Sequence, residues 1–225
     1  MPRCKFEGMR PAIVRNLLKV YAKAEPTDIT AGVEWYPKAQ AIVREWSGHY
    51  RYSVDTVAAV TAALSPQLEW SRNLVIADDV LAQRNPSIGG VLHSNLRKAE
   101  RLRDTDYRSN LLSVGARMLE VFPGGPKVNA FANNLAGDMS YVTVDTHAGQ
   151  AGLNDPLAVL RLAPTPYRIF AACYAQAAAK AGRQPAEFQA IVWNVWKRLY
   201  SQTWKQQARR EWIPIATDDD DDSED

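Results

Sequence analysis

The chain is poor in the residues that build metal centres, with two cysteines and three histidines among 225 residues. Cys4 and Cys173 stand far apart and in no ligand spacing. That excludes a disulfide framework, an iron–sulfur cluster and a structural zinc site, so no metal and no cofactor is expected. Long apolar runs are missing too. No window of about 18 apolar residues is available to cross a bilayer, which argues against a membrane partner. The N-terminus lacks the uninterrupted apolar stretch of a signal peptide. With so few thiols, a reducing, cytoplasmic setting is expected. Strand-forming composition is scarce, and only residues 141–144 carry it. Internal repeats are absent.

What is present is aromatic and basic. Seven tryptophans and nine tyrosines in a chain with 46% apolar residues predict a packed protein, as one domain or two tightly packed lobes. The formal charge of +2 hides an uneven distribution, because seven acids lie within the last eight residues. Without them the body holds 27 basic against 18 acidic residues, a net of +9. Such a body suits a polyanion such as DNA. The acidic residues 215–225 read as a disordered tail that competes for the basic cleft or simply aids solubility.

Apolar residues recur at helical spacing along most of the chain. A first helix covers residues 12–24, and a second, capped by Asp28 or Thr30, carries Trp35, Tyr36, Ala39, Ile42, Val43 and Trp46 on one face. Residues 54–64 form the most apolar helix, with Asp55 at the positive end of its dipole. Ser65-Pro66-Gln67 interrupts it. Further helices are predicted over residues 70–84, 94–103, 109–122, 156–162, 166–181 and 185–206, with Gly182 as a C-cap. The fold class is all-α. Core packing is the expected role of Trp35, Tyr36, Trp193 and Trp196.

The segment with the most chemistry is residues 121–147. A Gly124-Gly125-Pro126-Lys127 hairpin opens an apolar helix, and a short β-branched run then ends in Val144-Asp145-Thr146-His147. Lys127 and Asp145 are eighteen positions apart, one at a helix start and one at the cap of the next element. A primary amine beside a carboxylate is the equipment for attack on a sugar C1′. Gly124 and Gly125 allow close backbone approach to phosphate.

With these residues the segment resembles the helix–hairpin–helix DNA glycosylase superfamily, closest to its endonuclease III-like members. There a glycine-bearing hairpin leads into a helix-start lysine, and Val-Asp-Thr-His follows eighteen residues later. The resemblance implies that Lys127 is a Schiff-base nucleophile and Asp145 the catalytic acid. It extends to the Ser65-Pro66-Gln67 turn with Asn73 six residues beyond. On that basis Gln67 is the wedge that fills the gap left by an extruded base. The fold implied is a two-lobed helical domain over residues 1–214, binding double-stranded DNA as a monomer with no protein partner. Departures from the family pattern are a shorter hairpin with Pro123 where the first glycine belongs, Gln150 in place of an arginine, and no four-cysteine loop.

Such a protein would flip a base and cleave its glycosidic bond, with AP-lyase activity through Lys127. Trp70 is the aromatic nearest in sequence to the turn and is expected at the flipped base. His147 is expected to orient the turn. Two other functions fit the same residues. Some phage proteins resembling this scaffold decorate thymine-derived bases as transferases, acting in the host cytoplasm. A non-catalytic DNA-binding module would use the hairpin alone. Each residue also has a structural role open to it: Lys127 as a surface charge, Asp145 as an N-cap, Gln67 as a partner for the backbone at Pro66. The basic group Lys197, Arg198, Lys205, Arg209 and Arg210 meets phosphates or solvates a helix.

Overall fold

A computed structural model describes residues 4–104, 125–160 and 162–211, backbone only from 202 onward, and every regular element among them is helical. A 3₁₀ turn at Glu7–Met9 leads into α1 (Arg10–Tyr21), α2 (Pro26–Tyr50), α3 (Val54–Leu64), α4 (Trp70–Leu81) and α5 (His93–Asp104). Then follow α6 (Pro126–Ala136), α7 (Thr146–Leu153), α8 (Pro164–Lys180) and α9 (Pro185–Glu211). The predicted helix over 109–122, Gly124 and the acidic tail 215–225 lie outside the described residues.

Local chemistry sets most of the helix ends. Ser53 caps α3 by accepting the Thr56 N–H at 3.0 Å. Gly182, at φ +66°, follows α8, and the Arg183 N–H returns to the Ala178 carbonyl at 3.0 Å. The start of α2 corrects the expectation. Glu25 is the N-cap and Pro26 the first helical residue, so Asp28 sits inside the first turn and receives the Glu25 N–H at 2.9 Å. This reciprocal capping box with a proline at the first position starts the helix three to five residues early.

One predicted helix is absent from the described residues. Residues 156–160 are irregular rather than helical. Asp155 accepts the Leu157 N–H at 2.9 Å, and Gln150 donates to the Ala158 carbonyl at 3.2 Å; such side-chain bonds compete with a helix. Residues 141–144 have no partner strand among the described residues. The Tyr167 hydroxyl donates to the Val142 carbonyl at 2.7 Å and accepts the Val144 N–H at 3.2 Å. Asn134 donates to the Tyr141 carbonyl at 3.1 Å. Side chains thus satisfy the backbone groups that a neighbouring strand would have paired.

The buried apolar residues fall into two clusters. One gathers α2–α5 with Phe131 and Leu135 of α6, and α3 is its centre, buried from Thr56 to Leu64. The other joins α1 to α7, α8 and α9, with Ala130 of α6 and the extended Val142 and Val144. The chain therefore begins in the same cluster in which its long last helix packs. Helix α2 crosses α9 closely: a Cβ at Gly32 would lie 2.6 Å from the Ile191 backbone nitrogen. The seam between the clusters is where the candidate site lies.

Candidate active site

A cavity of about 470 Å³ opens at this seam: its aromatic and aliphatic lining belongs to the first cluster, while Thr143, Asp145 and Trp193 come from segments whose neighbouring residues Val142, Val144 and Val192 pack in the second. Its size falls within the ~300–1,000 Å³ usual for small-molecule pockets. One wall is aromatic. The Trp35 ring centroid lies 5.3 Å from that of Trp70 and 5.9 Å from that of Phe131, and Trp70 and Phe131 are 6.1 Å apart. The facing wall comes from α9, where Gln189, Trp193 and Lys197 recur every four residues along one stripe.

Lys127 and Asp145 both line this cavity. Lys127 is the second residue of α6, after the Gly125 cap and Pro126, and is half-buried. No side chain among the described residues pairs with it. A cation in the first turn sits at the positive end of the helix dipole, a location that contributes nothing to helix stability. Asp145 is the N-cap of α7: Oδ1 accepts the Ala148 N–H at 2.7 Å, while Oδ2 accepts the Trp193 indole N–H at 3.0 Å. Cap and cavity residue are therefore one and the same.

The connector ahead of Asp145 is held from within. Asn134, fully buried, donates to the Asp138 carbonyl at 2.9 Å and accepts the Thr143 hydroxyl at 2.9 Å. Thr143 thereby reaches the cavity wall. Beside it Tyr36 donates to Gln189 Oε1 at 3.3 Å. Burial holds the Tyr36 phenol far above its ordinary pKa, opposed by a Thr143 hydrogen bond and reinforced by the charge of Asp145.

The other sequence-derived residues divide. Trp70 opens α4 and lines the cavity. Gln67 is exposed in the turn between Ser65 and Leu68, which line the cavity, but is not itself a lining residue. Asn73 also borders the cavity but is 1% exposed and spends its amide on the Thr61 carbonyl at 3.1 Å, which ties α4 to α3. Gly125 is exposed, and a Cβ there would meet open space, so packing does not require the glycine. His147 lies behind the wall, Nδ1 3.3 Å from Gln150 Oε1 and its ring centroid 6.4 Å from that of Trp193. Arg198 is engaged structurally with Asp28, Glu25 and the Lys23 carbonyl. The side chains of Lys205, Arg209 and Arg210 lie outside the described residues.

Core packing describes Trp196, which is fully buried, but not Trp193, which is half-buried on the cavity wall; Tyr36 and Trp35 serve both, Trp35 packing against the first cluster while it lines the cavity. Gln189 and Asn194 were missed altogether, and Lys197 was read only as one of the basic group of α9. The signal was the polar stripe at four-residue spacing through the otherwise apolar start of α9. Among the described residues no cluster of acids, histidines and cysteines could hold a metal, and no helix is long and apolar enough to cross a membrane.

No curated protein and no solved structure matches the chain. A family model does match, over residues 3–199, and the chain therefore belongs to that family, described as a family of unknown function (DUF7178).

Proposed function

We propose that the protein is a DNA glycosylase with AP-lyase activity, in which Lys127 is the nucleophile and Asp145 the supporting acid. The observation that carries the reading is their convergence with Trp70 on one aromatic-walled cavity. The resemblance to helix–hairpin–helix glycosylases assigns these same residues to the reaction. The division of the core into two clusters suits a two-lobed enzyme with DNA across the seam.

A base turned out of the duplex stacks against the Trp35–Trp70–Phe131 wall. Base–aromatic stacking is worth about 1–3 kcal/mol, which offsets much of the few kcal/mol that unstacking costs. Gln67, on the turn whose Ser65 and Leu68 line the cavity, occupies the space the base vacates. The neutral Lys127 amine attacks C1′, the C1′–N bond breaks, and the base leaves with a proton. Asp145 stabilises positive charge on the sugar and takes the proton that Nζ loses. The C1′–O4′ bond then opens, O4′ takes up the proton held by Asp145, and Nζ and C1′ share an iminium. Loss of a C2′ proton breaks the C3′–O bond and nicks the strand by β-elimination.

The test is incubation with abasic-site DNA and borohydride, which reduces the imine to a stable link whatever base the enzyme prefers. The expected result is a covalent adduct with the wild type and none with Lys127→Ala. An adduct that survives Lys127→Ala moves the chemistry to another amine. DNA binding with neither adduct nor base release overturns the reading. Mass spectrometry of the treated DNA then distinguishes a base-modifying transferase, which leaves an altered base and no abasic site, from a binding module, which leaves the DNA unchanged.

A further inference from the structure

We propose that Trp193 is a positioning residue for Asp145, an inference that rests on the catalytic role given to Asp145 above. The carboxylate is held at both ends. Oδ1 is tied to the Ala148 N–H at 2.7 Å from within its own helix, and Oδ2 to the Trp193 Nε1–H at 3.0 Å from α9. A cap bond alone leaves the carboxylate free to turn about Cβ–Cγ. The second donor, forty-eight residues further along the chain, stops that rotation. It leaves the remaining lone pairs of both oxygens for the cavity.

The choice of donor matters chemically. An indole N–H only donates. It cannot take a proton from Asp145 or change tautomer, so Oδ2 meets a donor throughout a reaction cycle. A histidine or a hydroxyl in that place would offer a second path for the proton. Trp193 is itself braced, with the Lys197 ammonium 4.1 Å from its ring centroid and the His147 ring on another side. The brace belongs to the four-residue stripe of α9 that faces the cavity. A tie between α7 and α9 made only for stability would not need its acceptor on the cavity wall.

The test pairs a spectroscopic with a kinetic measurement on the full chain. The Trp193 indole resonance in a ¹H–¹⁵N spectrum is assigned by its disappearance in Trp193→Phe. Asp145→Asn should shift it upfield, because asparagine keeps one acceptor oxygen: with Oδ1 on the Ala148 N–H, its Nδ2 faces the indole and the hydrogen bond is lost. Asparagine is as good an N-cap as aspartate, so that variant keeps α7. In single-turnover reactions on abasic-site DNA, Trp193→Phe should lower the rate about ten- to a hundredfold, the cost of a reacting group misplaced by an ångström or less. DNA affinity should stay within about twofold. Trp193→Tyr substitutes if the phenylalanine variant does not fold. A folded Trp193 variant with the wild-type rate overturns the proposal, and so does an indole resonance indifferent to Asp145→Asn. A wild type inert on DNA overturns the glycosylase reading and the kinetic half with it, while the resonance shift still reports the Asp145–Trp193 bond.

Discussion

Gln67 offers a test in which stability and function should move apart. It occupies the third position of the Ser65–Leu68 turn, at φ +66°, with the Leu68 N–H bonded to the Ser65 carbonyl at 3.2 Å. Proline at the second position and a positive φ at the third are the signature of a type II turn, in which glycine is the usual third residue. A side chain in this left-handed conformation costs roughly 1–2 kcal/mol. Glycine would remove that strain but costs roughly 0.5–1 kcal/mol in lost unfolded-state freedom. Gln67→Gly should therefore be neutral or stabilising by up to about 1.5 kcal/mol, a rise in Tm of no more than roughly 6 °C for a chain of this length. Gln67→Ala keeps the strained Cβ and should leave Tm nearly unchanged. Both variants lose the side chain on this turn, and base extrusion should weaken about tenfold, the equivalent of ~1.4 kcal/mol. Thermal melting and the fluorescence of 2-aminopurine placed at the target base measure the two quantities. Marked destabilisation by Gln67→Gly would show that the side chain serves the fold, and unchanged extrusion in both variants would remove the wedge role.

Asn134→Ala strips three part-buried hydrogen bonds from the connector that carries Thr143, worth about 0.5–1.5 kcal/mol each. Its Tm should fall by several degrees, with activity lost beyond what the melting explains. Gly32→Ala drives a methyl group to 2.6–2.7 Å from the Ile191 backbone, so α2 and α9 must part. Overpacking of this kind costs typically 1–3 kcal/mol, which urea unfolding would register as a lower midpoint with an unchanged slope. Asp28 is buried; burial alone would raise its pKa, but the hydrogen bonds from Arg198 and the Glu25 N–H and the charge of Arg198 hold it below the ordinary value. A depressed folded-state pKa stabilises the fold above the unfolded value of about 3.9, and the contribution fades as pH falls below about 4. Asp28→Asn should therefore lower Tm at neutral pH and flatten the decline of Tm on acidification, and melting curves from pH 7 to 3 check both.

How much of this protein is legible in its residues depends on how far apart the interacting groups stand. The helical core element α3 was readable, because a segment made mostly of alanine, valine and threonine, with Asp55 in its first turn, needs only local chemistry. The same holds for the Gly182 stop and for Asp145 as a cap three residues ahead of the amide it binds. The strand-like composition of residues 141–144 shows that they are extended, not what pairs with them; the partner of Val142 and Val144 is the hydroxyl of Tyr167, more than twenty residues on. Residues 156–160 carry enough apolar character for a helix, yet Asp155 and Gln150 bind the backbone first.

The site divides along the same line. Spacing singled out Lys127 and Asp145, since an amine at one helix start and an acid at the next cap are both local features. It could not separate a core tryptophan from one on a cavity wall. Helical periodicity says that a face is covered, and only the packing of α2 across α9 decides whether the cover is solid or leaves a space. Trp196 met solid core, Trp193 met the space, and Trp35 met both. The sequence by itself thus determined an all-α chain with an amine and an acid at neighbouring helix starts. The tertiary structure alone brought them into one cavity with Trp70 and bound Trp193 to Asp145, because these contacts join residues separated by dozens of positions and close only when both hydrophobic clusters have formed.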